Sequence, residues 1–187
     1  KYTCFVGDDN IIKKGSLEKQ KQYIIDKNWC GGAWQTRIIP TNNNYWEYCT
    51  NIRWKVRFTE GERRVIGTPY IFETTILKAS TYDENCSFSD DSDIAERIPY
   101  VTDKKLGYSD LICYEVGKSD FKQIKTRFIM YGKSDAEYWK KYKDSWSLVR
   151  KIQSVLHPFK DEFLFAMVNT KSLYNKIYSF PFFALVT

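Results

Sequence analysis

The chain has no long apolar run, only one histidine, and no two cysteines at C-x-x-C spacing. The first absence removes the roughly 20 consecutive apolar residues that a membrane-spanning helix requires. The other two leave too few clustered nitrogen and sulfur donors for a zinc or dithiol redox site, so no metal is expected. The net charge of +6 is modest, and Lys and Arg are scattered over every segment. Without a dense basic run, nucleic acid is not expected as a partner, and membrane contact is expected to be peripheral at most. The acidic stretch with Asp90, Asp91 and Asp93 contains no glycine, whereas a calcium loop needs one for its sharp turn. It reads as a solvated loop. No Ser or Cys stands near His157 in any nucleophile motif, and His157 adjoins Pro158 at a helix end. Neither catalysis nor a cofactor is therefore expected. The sequence opens at Lys1 with neither methionine nor apolar leader, the pattern of a processed or trimmed chain.

What is present is a 187-residue chain with 43 % apolar and 17 % aromatic residues, enough for one well-filled core. Five cysteines (Cys4, Cys30, Cys49, Cys86, Cys113) fit two disulfides and one leftover thiol, which implies a secreted protein or the lumen of a secretory-route compartment. Five buried reduced cysteines are the alternative. Asn85-Cys86-Ser87 is a glycosylation triplet of a kind that arises often by chance.

The organising stretch is Trp29 to Ile39, WCGGAWQTRII, an alternating strand that places Gly32, Trp34, Thr36 and Ile38 inward and Ala33, Gln35 and Arg37 outward. Before it, Ser16 is a plausible N-cap of a short helix to Ile25. Tyr45 to Thr59 then alternates as a strand, Ile52, Trp54, Val56 and Phe58 against Arg53, Lys55 and Arg57. Its basic stripe, continued by Arg63 and Arg64, reads as a solvated outer face. Arg63 to Ala79 returns as a strand or two broken near Pro69, and short strands are expected near Cys86 to Phe88 and Arg97 to Thr102. Tyr108 to Val116 and Phe121 to Tyr131 form a hairpin across Gly117 to Asp120. In the first of these, Glu115 is taken to face water, which puts Asp110, Ile112, Tyr114 and Val116 inward and Ser109, Leu111 and Cys113 outward. Ser134 and Glu137 make a capping box for one long helix, whose stripe Tyr138, Tyr142, Trp146, Val149, Ile152 and Leu156 is expected to lie on an apolar surface. Pro158 ends it. The apolar tail Phe180 to Val186 should pack on the domain.

A leader, a Gly-x-Trp strand, antiparallel strands, a terminal hairpin and one amphipathic helix together resemble the lipocalin family. Gly32-Ala33-Trp34 is similar to the first family motif, Tyr108 to the tyrosine of the second, and Phe128-Ile129-Met130 to the strand entering the third. Two departures stand out. Leu106-Gly107 replaces the Thr-Asp before that tyrosine, and the motif arginine over the tryptophan has no direct match, leaving Lys133 or Arg127 to cover Trp34.

The resemblance implies an all-β fold, an eight-stranded antiparallel up-and-down barrel with one long external helix. Residues 1–28 would be a strap, 29–133 the barrel, and 134–187 the external helix and C-terminal segment, in a single domain. The apolipoprotein D branch further implies a leader-to-strand bridge, Cys4 to Cys113. The inner wall would comprise Ile38, Trp46, Tyr48, Trp54, Ile112, Tyr114, Val116, Ile124 and Phe128. Such a wall suits binding and transport of a small hydrophobic molecule: a fatty acid, lipid, sterol, retinoid-like compound or tetrapyrrole such as haem. The alternative is a filled barrel acting as a structural or interaction protein, as a homo-oligomer or host-facing binder, through exposed aromatics such as Trp139 and the Phe180 to Phe183 tail.

Overall fold

The structure is a computed structural model that describes residues 1–84, 90–117 and 120–187, without the side chains of residues 161 and 162. The elements run β1 (Tyr2–Phe5), β2 (Asn10–Ile11), α1 (Ser16–Asp26), β3 (Trp29–Ile39), α2 (Tyr45–Arg57), β4 (Gly61–Arg63), β5 (Tyr70–Glu73), α3 (Thr74–Ser80), α4 (Asp90–Arg97), β6 (Lys105–Val116), α5 (Phe121–Tyr142), α6 (Leu148–His157), α7 (Phe165–Asn169) and α8 (Leu173–Leu185). They form two compact units, one of residues 1–39 and 58–116, the other of residues 40–57 and 117–187.

The first unit holds one mixed sheet in the order β1-β5-β3-β6-β2, with β4 also on β6. This overturns the expected all-β barrel. Barrel closure requires each edge to find a partner, whereas β1 and β2 end this sheet, and its central pair β3 and β6 runs parallel. Helix α1 covers one face through a stripe at four-residue spacing, Ser16, Gln20 and Ile24. The Trp34 indole donates to Ser16 Oγ at 2.7 Å, and Ser109 Oγ donates to Gln20 Oε1 at 2.5 Å. Gly32 is what lets the helix come this close, since a Cβ there would stand 2.9 Å from both Gln20 Nε2 and Ile24 Cγ1. Ser16 is therefore the first helical residue and a core acceptor; Gly15, at φ 75°, takes the N-cap position. The other face packs Ala33, Tyr70, Phe72, Leu106 and Tyr108 against Ile94, Ala95 and Ile98. The region read as a solvated loop with a strand from Arg97 thus contains α4 and a 3-10 turn at Ile98–Tyr100. The strand expected over Arg63 to Ala79 is β4, β5 and α3. The strand expected near Cys86 to Phe88 and the glycosylation triplet lie outside the described residues.

The phase of β6 is the reverse of the expected one. Thr36 pairs with Cys113 and Ile38 with Glu115, all four buried, so the Trp34 face of β3 continues onto Cys113 and Glu115. Ile112, Tyr114 and Val116 share the opposite face, and Ile112 and Val116 are exposed. Nor can Cys4 reach Cys113. Cys4 pairs with Ile71, Ile71 with Gly32, and Gly32 with Gly107, which is three strand spacings, about 14 Å, where a disulfide spans less than about 7 Å between Cα atoms. Cys4, Cys30, Cys49 and Cys113 are all free thiols.

The second unit is helical, which corrects two expected strands. Residues 45–57 coil because Asn44 caps them: its Oδ1 accepts from the amides of Trp46 and Glu47 at 3.0 and 3.1 Å. In α5, Asp120 does the same for Gln123 at 2.8 Å. Ser134, read as a helix start, lies buried in the middle of α5. The single long helix is interrupted at Lys143–Ser147, and beyond His157 the chain stays helical through a π turn at Pro158–Leu164. Cys49 and Ile52 of α2, Ile124 of α5, Ala166 of α7, and Phe182 and Phe183 of α8 build the core with Val186.

Glu47 anchors the entry to α2. Burial alone would raise its pKa, but hydrogen bonds from the Thr41 hydroxyl and the amides of Asn42, Thr41 and Asn43 outweigh it and hold the carboxyl below the ordinary glutamate value. A depressed folded value means the stabilisation is complete above the unfolded pKa of about 4.3 and is lost as pH falls through the folded value. Glu47→Gln is expected to cost about 1–3 kcal/mol at neutral pH, and the gap from wild type should close in acid. Urea titrations of both proteins across that range measure it.

Candidate functional site

The residues expected to line one cavity are divided between the two units. In the first unit, Ile38 is buried on the Trp34 face, while Ile112, Tyr114 and Val116 lie on the other. Lys13 stands 5.7 Å from the centre of the Tyr114 ring, and Asp110, expected inward, is exposed. In the second unit, Trp46, Ile124 and Phe128 belong to the helical core, whereas Tyr48 is exposed and donates its hydroxyl to Asn175 at 2.7 Å. Trp54 is buried, with the Arg127 guanidinium 5.9 Å from its ring centre. Of the motif residues, Trp34 is fully buried, Tyr108 accepts from the Gly67 amide at 2.9 Å, and Lys133 is exposed on α5. Arg53, expected on a solvated stripe, is buried 5.2 Å from the Phe128 ring centre, and burial pulls its pKa down to about 10. Burial likewise pushes the Cys30 and Cys113 thiols up to about 11, so both stay protonated at neutral pH.

What the structure gathers instead is a surface on the helical unit. Ser147 starts α6, its hydroxyl accepting from the Arg150 amide at 3.2 Å. Along the helix, Leu148, Val149, Ile152, Val155 and Leu156 form one apolar stripe that continues to Phe159. The sequence leads one to expect this stripe to be packed. All six side chains are between 50 % and 73 % exposed, and α6 buries no residue at all. From its end, Phe159 stacks on Phe163 at 5.7 Å and Phe163 meets Phe180 edge-on at 5.5 Å. That ladder joins the stripe to α8, where Leu173, Ile177 and Phe180 are exposed while Phe182 and Phe183 face the core.

At the other end of α6 an aromatic corner forms. Tyr138, Trp139 and Tyr142 of α5 all contact Trp146, with ring centres 5.4, 5.6 and 6.3 Å away. The Arg150 guanidinium lies 4.3 Å over the same indole. The charge follows the apolar surface: residues 121–187 contain twelve Lys and Arg against five Asp and Glu, and Leu148 to Lys160 holds no acid. No helix of the described residues is long and apolar enough to cross a membrane.

The chain matches no protein-family model and no curated protein. The surface must therefore be read from its own chemistry. Val149, Ile152 and Leu156 belong to the helical stripe that the sequence shows, whereas Leu148, Val155 and Phe159 do not, and exposure is a non-local property with no sequence signal. The caps at Asn44 and Asp120 did have one, a polar residue followed three places later by Glu47 and Gln123 respectively.

Proposed function

We propose that this protein is a non-enzymatic binding protein that docks on acidic lipid bilayers through the apolar face of α6. The observation that carries this reading is the unburied stripe of α6, a strongly two-sided helix with Arg150 and Lys151 on its polar side and no acid along it. Helices of this kind lie in the plane of the interface with the apolar face among the acyl chains. Trp and Tyr favour the headgroup level, which suits the corner around Trp146. Transferring six half-exposed apolar side chains contributes roughly 1 kcal/mol each before association costs, and each cation near an acidic surface adds about 1 kcal/mol.

The test is vesicle flotation with Trp fluorescence. The protein is expected to float with phosphatidylcholine vesicles that contain phosphatidylserine, with a blue shift in emission, and less so as salt is raised. Absence of flotation together with a mass corresponding to a dimer would assign the apolar face to a second copy instead.

A further inference from the structure

Resting on that reading of the surface, we propose that Ser147 is a phosphorylation site whose modification releases the α6 face from acidic bilayers. Ser147 is exposed at the end of the non-helical turn between α5 and α6. Lys140, Lys141 and Lys143 precede it, Arg150 and Lys151 follow it, and Asp144 is the one acid among them. A serine in an accessible turn with cations on both sides is the substrate class of basic-directed protein kinases. Ser145, two residues earlier, is held differently: its hydroxyl donates to the Tyr142 carbonyl at 2.8 Å.

The step takes the γ-phosphoryl group of a nucleoside triphosphate. The bond from the γ-phosphorus to the bridging oxygen breaks, the bond to Ser147 Oγ forms, the hydroxyl proton passes to the kinase's base, and a nucleoside diphosphate leaves. The product carries about −1.5 to −2 charge at neutral pH. It sits where the helix tolerates an anion, since Ser147 Oγ already accepts from the Arg150 amide at the first turn of α6. The helix is thus preserved while its field changes. A phosphate next to Arg150 and Lys151 offsets the two cations of the polar face and adds direct repulsion from acidic headgroups. Electrostatic release of this kind is a general property of basic amphipathic segments.

The experiment compares the full chain carrying phosphoserine at 147, introduced during translation, with the unmodified chain. Both are floated on neutral phosphatidylcholine vesicles and on vesicles that also contain phosphatidylserine, and a basic-directed kinase with ATP is applied to the unmodified chain in solution. The expected results are binding to acidic vesicles weakened by about tenfold or more, unchanged far-ultraviolet circular dichroism, a much smaller change on neutral vesicles, and kinase-transferred phosphate mapped to Ser147. Equal binding of the two chains to acidic vesicles, an equal loss on neutral vesicles, or phosphate mapped elsewhere with Ser147 unmodified overturns the switch. If the unmodified chain binds neither vesicle, the lipid-surface reading itself falls and the switch falls with it. That outcome is distinguished by the unmodified arm alone.

Discussion

Replacing Ile152 and Leu156 together by aspartate is expected to remove vesicle binding, weakening it by about a thousandfold, a shift of roughly 4 kcal/mol. Both side chains lie in the middle of the exposed stripe of α6, 50 % and 52 % accessible. Each substitution removes an apolar group from the membrane contact and places a carboxylate there, which is costly among acyl chains and repelled by acidic headgroups. The folded protein should not notice. Because α6 buries no residue, the urea midpoint is expected to stay within about 0.5 kcal/mol of wild type. That separation between lost binding and kept stability is the informative result, since a stripe packed on the core would give the opposite pattern. Gln153→Asp, on the polar side of the same helix, adds a charge without removing apolar contact and should weaken binding only a few-fold. A double variant that floats as wild type would mean that α6 is not the surface that meets the bilayer.

The largest stability effect is expected from adding a single methyl group to the sheet. Gly107 of β6 pairs with Gly32 on one side and Glu62 on the other. A Cβ at this position would run into the Trp29 ring and approach the Gly61 carbonyl oxygen to 2.6 Å. Neither neighbour can yield cheaply. Trp29 is buried, with its ring edge-on to Tyr23 at 5.7 Å, and Gly61 is held by its pairing with Tyr108. Gly107→Ala should therefore cost about 3 kcal/mol or more through overpacking of the core. Gly132→Ala provides the contrast. It lies in α5 with nothing within 4 Å of an added Cβ, and should stabilise by up to about 1 kcal/mol. Equilibrium urea unfolding of both variants decides the matter; a neutral Gly107→Ala would show that the packing at Trp29 is looser than described.

Some of this architecture was written locally. The helix from Ser16 and the strand from Trp29 to Ile39 were readable, as was the inward placement of Trp34, Thr36 and Ile38. Two departures of the structure from the sequence pattern have specific causes. In residues 45–57, apolar side chains alternate well enough to mimic a strand, yet Asn44 caps the segment and Glu47 follows three places on, a helix signal that the alternation overshadowed. In β6, the expected phase depends on Glu115 meeting water. Glu115 is 5 % exposed, which turns every neighbour to the opposite face, because a strand has a period of two and one misplaced residue inverts it. The expected ligand wall joins Ile38 to Ile112, Tyr114 and Val116, which lie on opposite faces of one sheet, and its other five residues, Trp46, Tyr48, Trp54, Ile124 and Phe128, lie on helices of the second unit.

The sequence by itself determined what depends on near neighbours along the chain. That covers the buried Trp34 strand, the helix that follows Gly15, part of the apolar stripe of α6, the basic excess after residue 121 and the lack of a long apolar run. The tertiary structure alone decided which segments coil, which sheet face is covered, and which apolar stripe stays uncovered. Those outcomes rest on contacts between residues far apart in sequence, such as Gln20 with Ser109 and Trp29 with Gly107. Periodicity can mark a face as apolar, but whether that face is buried depends on what other elements have already packed against.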